Sequence, residues 1–157
     1  MIEIFEATTD DLISAAKALF LEYAASLNFD LNFQNFDQEM ADFPDAYAAP
    51  LGGLYVAGFE GRLIGCVGFR YFEKGVCEMK RLYVRPEYRG MRAGRKLAEA
   101  AIHGARVSGY RYMRLDTLAS MQRANRLYRS LGFAQIPPYR HNPIEGAHYM
   151  EADLNKA

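Results

Sequence analysis

Leu82-Tyr83-Val84-Arg85-Pro86-Glu87-Tyr88-Arg89-Gly90-Met91-Arg92-Ala93-Gly94-Arg95-Lys96-Leu97 carries the strongest signal in this chain. It opens as the end of a strand, Val76 to Val84, which Pro86 stops. It closes as the start of a helix running to about Ser108. Between the two lies a loop that brings Arg85, Arg89, Arg92, Arg95 and Lys96 together around Gly90 and Gly94. The unpaired N–H groups of a helix start, with about half a positive charge from the dipole, suit a phosphate group. Glycine lets the backbone come close, and arginine adds charge-assisted hydrogen bonds. The competing reading is a solvated basic helix start beside an ordinary glycine turn. For a lone loop of this kind the competing reading is the better one; the loop's place between a buried strand and a helix, together with the motifs that follow it in order, favours the phosphate.

Upstream, residues 2–7 alternate as a strand. Thr8-Thr9-Asp10-Asp11 offers an N-cap with acids in the first turn. Leu12, Ala16, Leu19, Phe20, Tyr23 and Leu27 then recur at helical spacing, which predicts a helix over roughly 10–27. Residues 28–53 are irregular, rich in Phe, Asp and Asn, and read as a helix–loop lid with a short helix near 35–43. Leu54–Phe59, Leu63–Phe72 and Val76–Val84, separated by Glu60-Gly61-Arg62 and Glu73-Lys74-Gly75, form an antiparallel meander.

Downstream, Leu97, Ala98, Ala101, Ile102 and Ala105 make the helix's apolar face, and Gly109 ends it. A strand over 110–117, a helix from about Ser120 to Leu131 stopped by Gly132, a short strand at 133–136 and a last strand at 146–154 complete the chain. Strand–helix–strand in the second half implies a parallel pair and a right-handed crossover. The fold class is therefore α/β (α+β). It is a mixed, mostly antiparallel sheet flanked by helices, read as one domain over residues 1–157.

Lys plus Arg number 19 and Asp plus Glu 19, so the formal net charge is zero. That argues against nucleic acid and anionic membrane as partners. The amino terminus has no basic and apolar signal pattern, and no apolar run would span a bilayer. Cys66 and Cys77 should face opposite sides of the sheet, which argues against a disulfide and fits a reducing, cytoplasmic setting. His103, His141 and His148 do not form a metal set, and no metal is expected.

The loop and a later run together resemble the GNAT acetyltransferase superfamily. Its acyl-CoA loop follows Arg/Gln-x-x-Gly-x-Gly/Ala. Arg89-Gly90-Met91-Arg92-Ala93-Gly94 matches at the first and last positions and departs at the fourth, where Arg92 replaces glycine. Leu127-Tyr128-Arg129-Ser130-Leu131-Gly132-Phe133 resembles the Leu-Tyr-x-x-x-Gly-Phe signature. The element order agrees from residue 2 to residue 154.

The resemblance implies acetyl-CoA as co-substrate, with no metal, and a V-shaped opening between the strand ending at Val84 and the strand at 110–117. The pantetheine arm would bond to backbone groups of Leu82 and Val84. The pyrophosphate would sit on the amides of Gly90, Met91, Arg92, Ala93 and Gly94, with Tyr83, Arg89, Arg95, Asn125 and Tyr128 completing the cofactor contacts. Glu78 is then the expected base, eleven residues before Arg89, with a pairing to Lys80, Arg81 or Arg114 as its structural alternative. Tyr128 is the expected acid toward the CoA sulfur, with a core aromatic as its alternative. A strand bulge near Leu82 to Val84 would free an N–H for the oxyanion. Tyr139, His141 and Asn142 are expected to line the acceptor site. The acceptor reads as the primary amine of a small molecule. Acetylation of a protein N-terminus or lysine, or a non-catalytic acyl-CoA sensor, stands as the alternative. Homodimers are common among relatives.

Overall fold

The computed structural model describes residues 1–156. β1 (Glu3–Glu6) leads into α1 (Asp10–Ser26), whose cap Thr9 accepts the Leu12 N–H at 3.3 Å. The lid holds α2 (Phe36–Ala41) between two 3-10 turns, Leu31–Gln34 and Asp45–Tyr47. The single helix expected over 35–43 is shorter, because Asn35 turns left-handed (φ 57°) ahead of it and Asp42 leaves helical geometry after it. The meander follows as β2 (Gly53–Phe59), β3 (Arg62–Glu73) and β4 (Val76–Val84).

After a 3-10 turn at Pro86–Tyr88 come α3 (Ala93–Val107), β5 (Tyr112–Leu118), α4 (Gln122–Ser130), β6 (Ala134–Ile136) and β7 (Ala147–Asp153). Gly109 and Gly132, both at positive φ, end α3 and α4 where their spacing predicts.

The seven strands form one sheet in the order β1-β2-β3-β4-β5-β7-β6. Among the described residues, β4 and β5 are the parallel pair and the other pairs are antiparallel. Their pairing covers Val76↔Tyr112, Cys77↔Met113 and Glu78↔Arg114 and goes no further, although β4 runs on to Val84 and β5 to Leu118. The V-shaped opening is this splay. A second irregularity lies on the other edge of β4. Cys66 faces Tyr83 and Gly68 faces Lys80, so Arg81 and Leu82 together oppose Val67. Arg81 adopts φ 63° there, which marks a β-bulge.

Strand alternation sorts the core. On one face, Cys77, Met79, Met113, Leu115, Met150 and Ala152 pack with Leu97, Ala98, Ala101 and Ala105 of α3. Leu97 is fully buried, which is worth roughly 1.5–3 kcal/mol. On the other face, Leu54, Val56 and Cys66 pack with Ala16, Leu19 and Phe20 of α1 and with Phe36, Met40 and Tyr47 of the lid. Cys66 and Cys77 lie in different clusters and both are free thiols. Among the described residues no helix is long and apolar enough to cross a membrane.

Candidate functional site

The splay opens a cavity of about 90 Å³. Met79 to Leu82 line it from β4 and Leu115 to Leu118 from β5. Tyr128 and Ala124 reach it from α4, and Phe29, Phe33 and Gln34 cover it from the lid.

At one end of the splay lies the mouth of α3. Among the described residues, none of the N–H groups of residues 90–95 finds an acceptor within the protein, and Lys96 N–H is the first to rejoin the ladder, on the Arg92 carbonyl at 3.1 Å. These are the orphan donors of a helix start, here uncapped by any side chain. Gly90 turns with φ 92° and Arg92 with φ 66°. The departure from glycine at position 92 is thus tolerated by a left-handed arginine, at a cost of roughly 1–2 kcal/mol.

The loop's cations are placed unequally. Arg89 Nε donates to the Val84 carbonyl at 2.9 Å, and its guanidinium lies over the Tyr83 ring, so Arg89 braces the turn. Arg95 donates to Ser130 Oγ at 2.9 Å. Met91 is exposed and Ala93 is buried beneath the helix. A methyl group built on Gly90 would lie 3.6 Å from the Arg123 guanidinium, so α4 brings a further cation to the mouth. Nothing in the sequence pattern singles out Arg123.

Tyr128 is buried against Phe133, and among the described residues its hydroxyl makes no hydrogen bond. Burial pushes that phenol's pKa up, with Tyr23 and Asp116 adding to the effect, so it stays protonated. Asn125, expected among the cofactor contacts, is buried on α4 at the end of β5. It accepts from Thr117 Oγ1 at 2.8 Å and donates to the Leu118 carbonyl at 2.9 Å, tying α4 to the end of β5. Tyr83 gives its hydroxyl to Glu22 at 2.9 Å, and Arg85 grips the same carboxylate.

Across the sheet from α3, the even-numbered positions of β4 and β5 build a connected polar network. Glu78 is fully buried. It accepts from Tyr139 Oη at 2.9 Å, Arg140 Nη2 at 2.7 Å and Arg70 Nε at 3.4 Å. Its partners are therefore neither Lys80 nor Arg81 nor Arg114. The register sets Arg70 directly opposite it on β3, and the 139–142 loop folds over it. Glu78 does not line the cavity. Both of its oxygens are engaged by these partners. Among the described residues, Arg140 keeps a buried Nε without a partner.

Lys80 Nζ donates to Gln34 Oε1 at 3.1 Å and to Asp116 Oδ1 at 3.3 Å. The other Asp116 oxygen accepts from Gln34 at 3.0 Å and Asn142 at 3.1 Å. Burial pulls the Lys80 ammonium's pKa down to about 8, against the opposing charge of Asp116. Burial alone would raise the Asp116 carboxyl, but the charge and hydrogen bond of Lys80 outweigh it and hold the carboxyl below its usual range. Glu39, from α2, accepts from Arg81, Arg70 and Tyr47, and those partners likewise hold it down against burial. Of the three expected acceptor residues, Tyr139 and Asn142 join this network while His141 is exposed and outside it.

The Acetyltransferase (GNAT) family model matches residues 17–133. An uncharacterized N-acetyltransferase of Schizosaccharomyces pombe is 44% identical over 142 residues, covering 89% of this chain and 87% of that one. Another, from Dictyostelium discoideum, is 29% identical and covers 91% of this chain and 94% of its own. N-acetylaspartate synthetase of Xenopus tropicalis is 29% identical over 93% of this chain and 56% of that one. Among solved structures, a GNAT family acetyltransferase from Staphylococcus aureus superposes with a TM-score of 0.78 at 18% identity, covering 98% of this chain and 99% of that one. A GNAT family acetyltransferase from Elizabethkingia anophelis with acetyl-CoA bound gives 0.69 at 21%, covering 97% of each. The structural likenesses are likenesses of fold.

Proposed function

This chain belongs to the GNAT acetyltransferase family, and we propose that it transfers the acetyl group of acetyl-CoA to the primary amine of a small molecule by direct attack in a ternary complex. One observation carries the reading. Six bare amides at residues 90–95 open beside a splay whose cavity reaches the free hydroxyl of Tyr128.

The residues present fit acetyl-CoA. The amides of 90–95 and the α3 dipole match a diphosphate, with Arg123 as an added cation. The unpaired edges of β4 and β5 match an extended arm carrying amides. When bound, acetyl-CoA supplies the thioester that an amine attacks. In this reading Tyr128 hands its proton to the departing sulfur, and a backbone N–H of the Arg81–Leu82 bulge faces the charge that develops on the acetyl oxygen. Glu78 anchors the 139–142 loop at the rim of the acceptor pocket. The free, buried thiols fit a cytoplasmic setting.

The relative named N-acetylaspartate synthetase supports a narrower second reading, an amine that carries carboxylates. The polar face would suit it. Among the described residues, Arg70, Lys80, Arg81 and Arg140 outnumber Glu39, Glu78 and Asp116 there, and one buried arginine donor is unpaired. A thiol-release screen with acetyl-CoA tests both readings against a panel of amines, amino acids included. Turnover of a small amine supports the first reading, and a preference for aspartate or similar amino acids supports the second. Turnover confined to protein N-termini or lysines would overturn both.

A further inference from the structure

We propose that Lys80, held by Asp116, is the base that takes the proton from the acceptor's ammonium group, in the place the sequence reserves for Glu78. The inference rests on the acetyl-transfer reading above.

The geometry separates the two candidates. Lys80, Asp116 and Tyr128 line one cavity, so a base and an acid face the same space from β4, β5 and α4. Glu78 lies outside it and is already bonded to three side chains. Lys80 is 4% exposed, and its nitrogen holds two bonds, to Gln34 and Asp116. A lysine nitrogen has three positions for a proton or lone pair. Among the described residues no bond takes the third, and Lys80 lines the cavity. Lys80 also sits next to the Arg81–Leu82 bulge, which brings it beside the N–H proposed for the acetyl oxygen.

The surroundings set what this amine can do. On β4 it neighbours Glu78 and Arg81, and on β3 it feels Arg70. Asp116 faces it from β5, and Glu39 reaches Arg81 from α2. The phenols of Tyr23 and Tyr128 line the cavity from α1 and α4, and Arg140 acts on Asp116 from the 139–142 loop. Burial is the largest influence on Lys80 and disfavours its charge, so a sizeable neutral fraction exists near pH 8. A base poised near the working pH is the efficient one.

The step balances. Neutral Lys80 accepts one proton from the acceptor's ammonium, and the freed amine attacks the acetyl carbon. The carbon–nitrogen bond forms as the carbon–sulfur bond breaks. Of the two protons the nitrogen sheds, one leaves through Lys80 to solvent, and the other replaces the proton that Tyr128 hands to the sulfur.

Two measurements test this. The chain has five lysines. Carbon-13 NMR of ε-labelled lysine, with the Lys80 signal assigned by its absence in Lys80→Met, should show Lys80 titrating near pH 8. Titration in the ordinary range, near 10.4, would leave it cationic and overturn the proposal. Second, pH profiles of turnover are compared for the wild type, Lys80→Met, Lys80→Arg and Glu78→Gln, alongside calorimetric binding of acetyl-CoA. Both Lys80 variants should bind acetyl-CoA like the wild type, lose about 100-fold or more in kcat and lose the limb near pH 8. Glu78→Gln should keep that limb and raise KM. Activity retained in Lys80→Arg would make Lys80 a charge anchor and overturn the base role. A limb lost in Glu78→Gln and kept in Lys80→Met would return the role to Glu78. A wild type that binds no acetyl-CoA would sink the functional reading itself, and this inference with it.

Discussion

The two faces of the central sheet are built from the same strands and behave as different materials. On β4, Cys77 and Met79 point into an apolar layer under α3, while Glu78 and Lys80 point into a buried network of ions. On β5, Met113 and Leu115 repeat the first pattern, and Arg114 and Asp116 repeat the second. One face is held by area removed from water and the other by charges that need one another. The contrast sets where each change should hurt. A loss on the apolar face should cost stability at any pH. A loss on the charged face should cost stability through an orphaned partner and should carry a pH dependence.

The largest effect expected is from Glu39→Ala. It strands the buried Arg81 and removes partners from Arg70 and Tyr47, which should cost about 4 kcal/mol in denaturant unfolding. The carboxyls of Glu39 and Asp116 are held below their usual range, so their contribution is present above ordinary carboxylate pKa values. It should be lost as pH falls through their depressed values in the folded state. Leu97→Ala should cost about 3 kcal/mol with no such dependence. Equal acid sensitivity of these two variants would erase the contrast between the faces.

Tyr128→Phe keeps the ring and removes the proton. It should lower kcat by about 100-fold, close to 2.7 kcal/mol, with little change in unfolding. A fully active variant would return Tyr128 to the core. The smallest effect expected is from Arg92→Gly. Relief of the left-handed arginine, offset by glycine's extra freedom in the unfolded chain, should raise stability by up to about 1 kcal/mol. Tighter acetyl-CoA binding in the same variant would show that the Arg92 side chain crowds the mouth.

Much of this arrangement is legible in the residues. Val76 to Val84 is bounded by Gly75 and Pro86, and its strand limits agree with the observed ones. Gly109 and Gly132 stop their helices because each takes a conformation other residues resist. The bulge at Arg81 is not written locally, since an arginine at φ 63° has no sequence signature. It arises from the pairing of β3 with β4. Glu39 escapes notice in the lid because its partners, Arg70 and Arg81, lie 31 and 42 residues away. Lys80 and Asp116 are legible in the strand pattern. Glu78-x-Lys80 and Arg114-x-Asp116, read at period two on neighbouring strands, place all four charges on one face.

Acetyl-CoA binding at this site depends on the bare amides at the mouth of α3 beside the splayed strands. Its most direct test is a calorimetric titration of the wild-type chain with acetyl-CoA, run beside S-acetylpantetheine, which keeps the thioester and lacks the diphosphate. Saturable binding of acetyl-CoA is expected with Kd below about 1 mM, and binding of the truncated thioester weaker by about tenfold or more. Equal affinity for the two, or no saturation with millimolar acetyl-CoA, would contradict it.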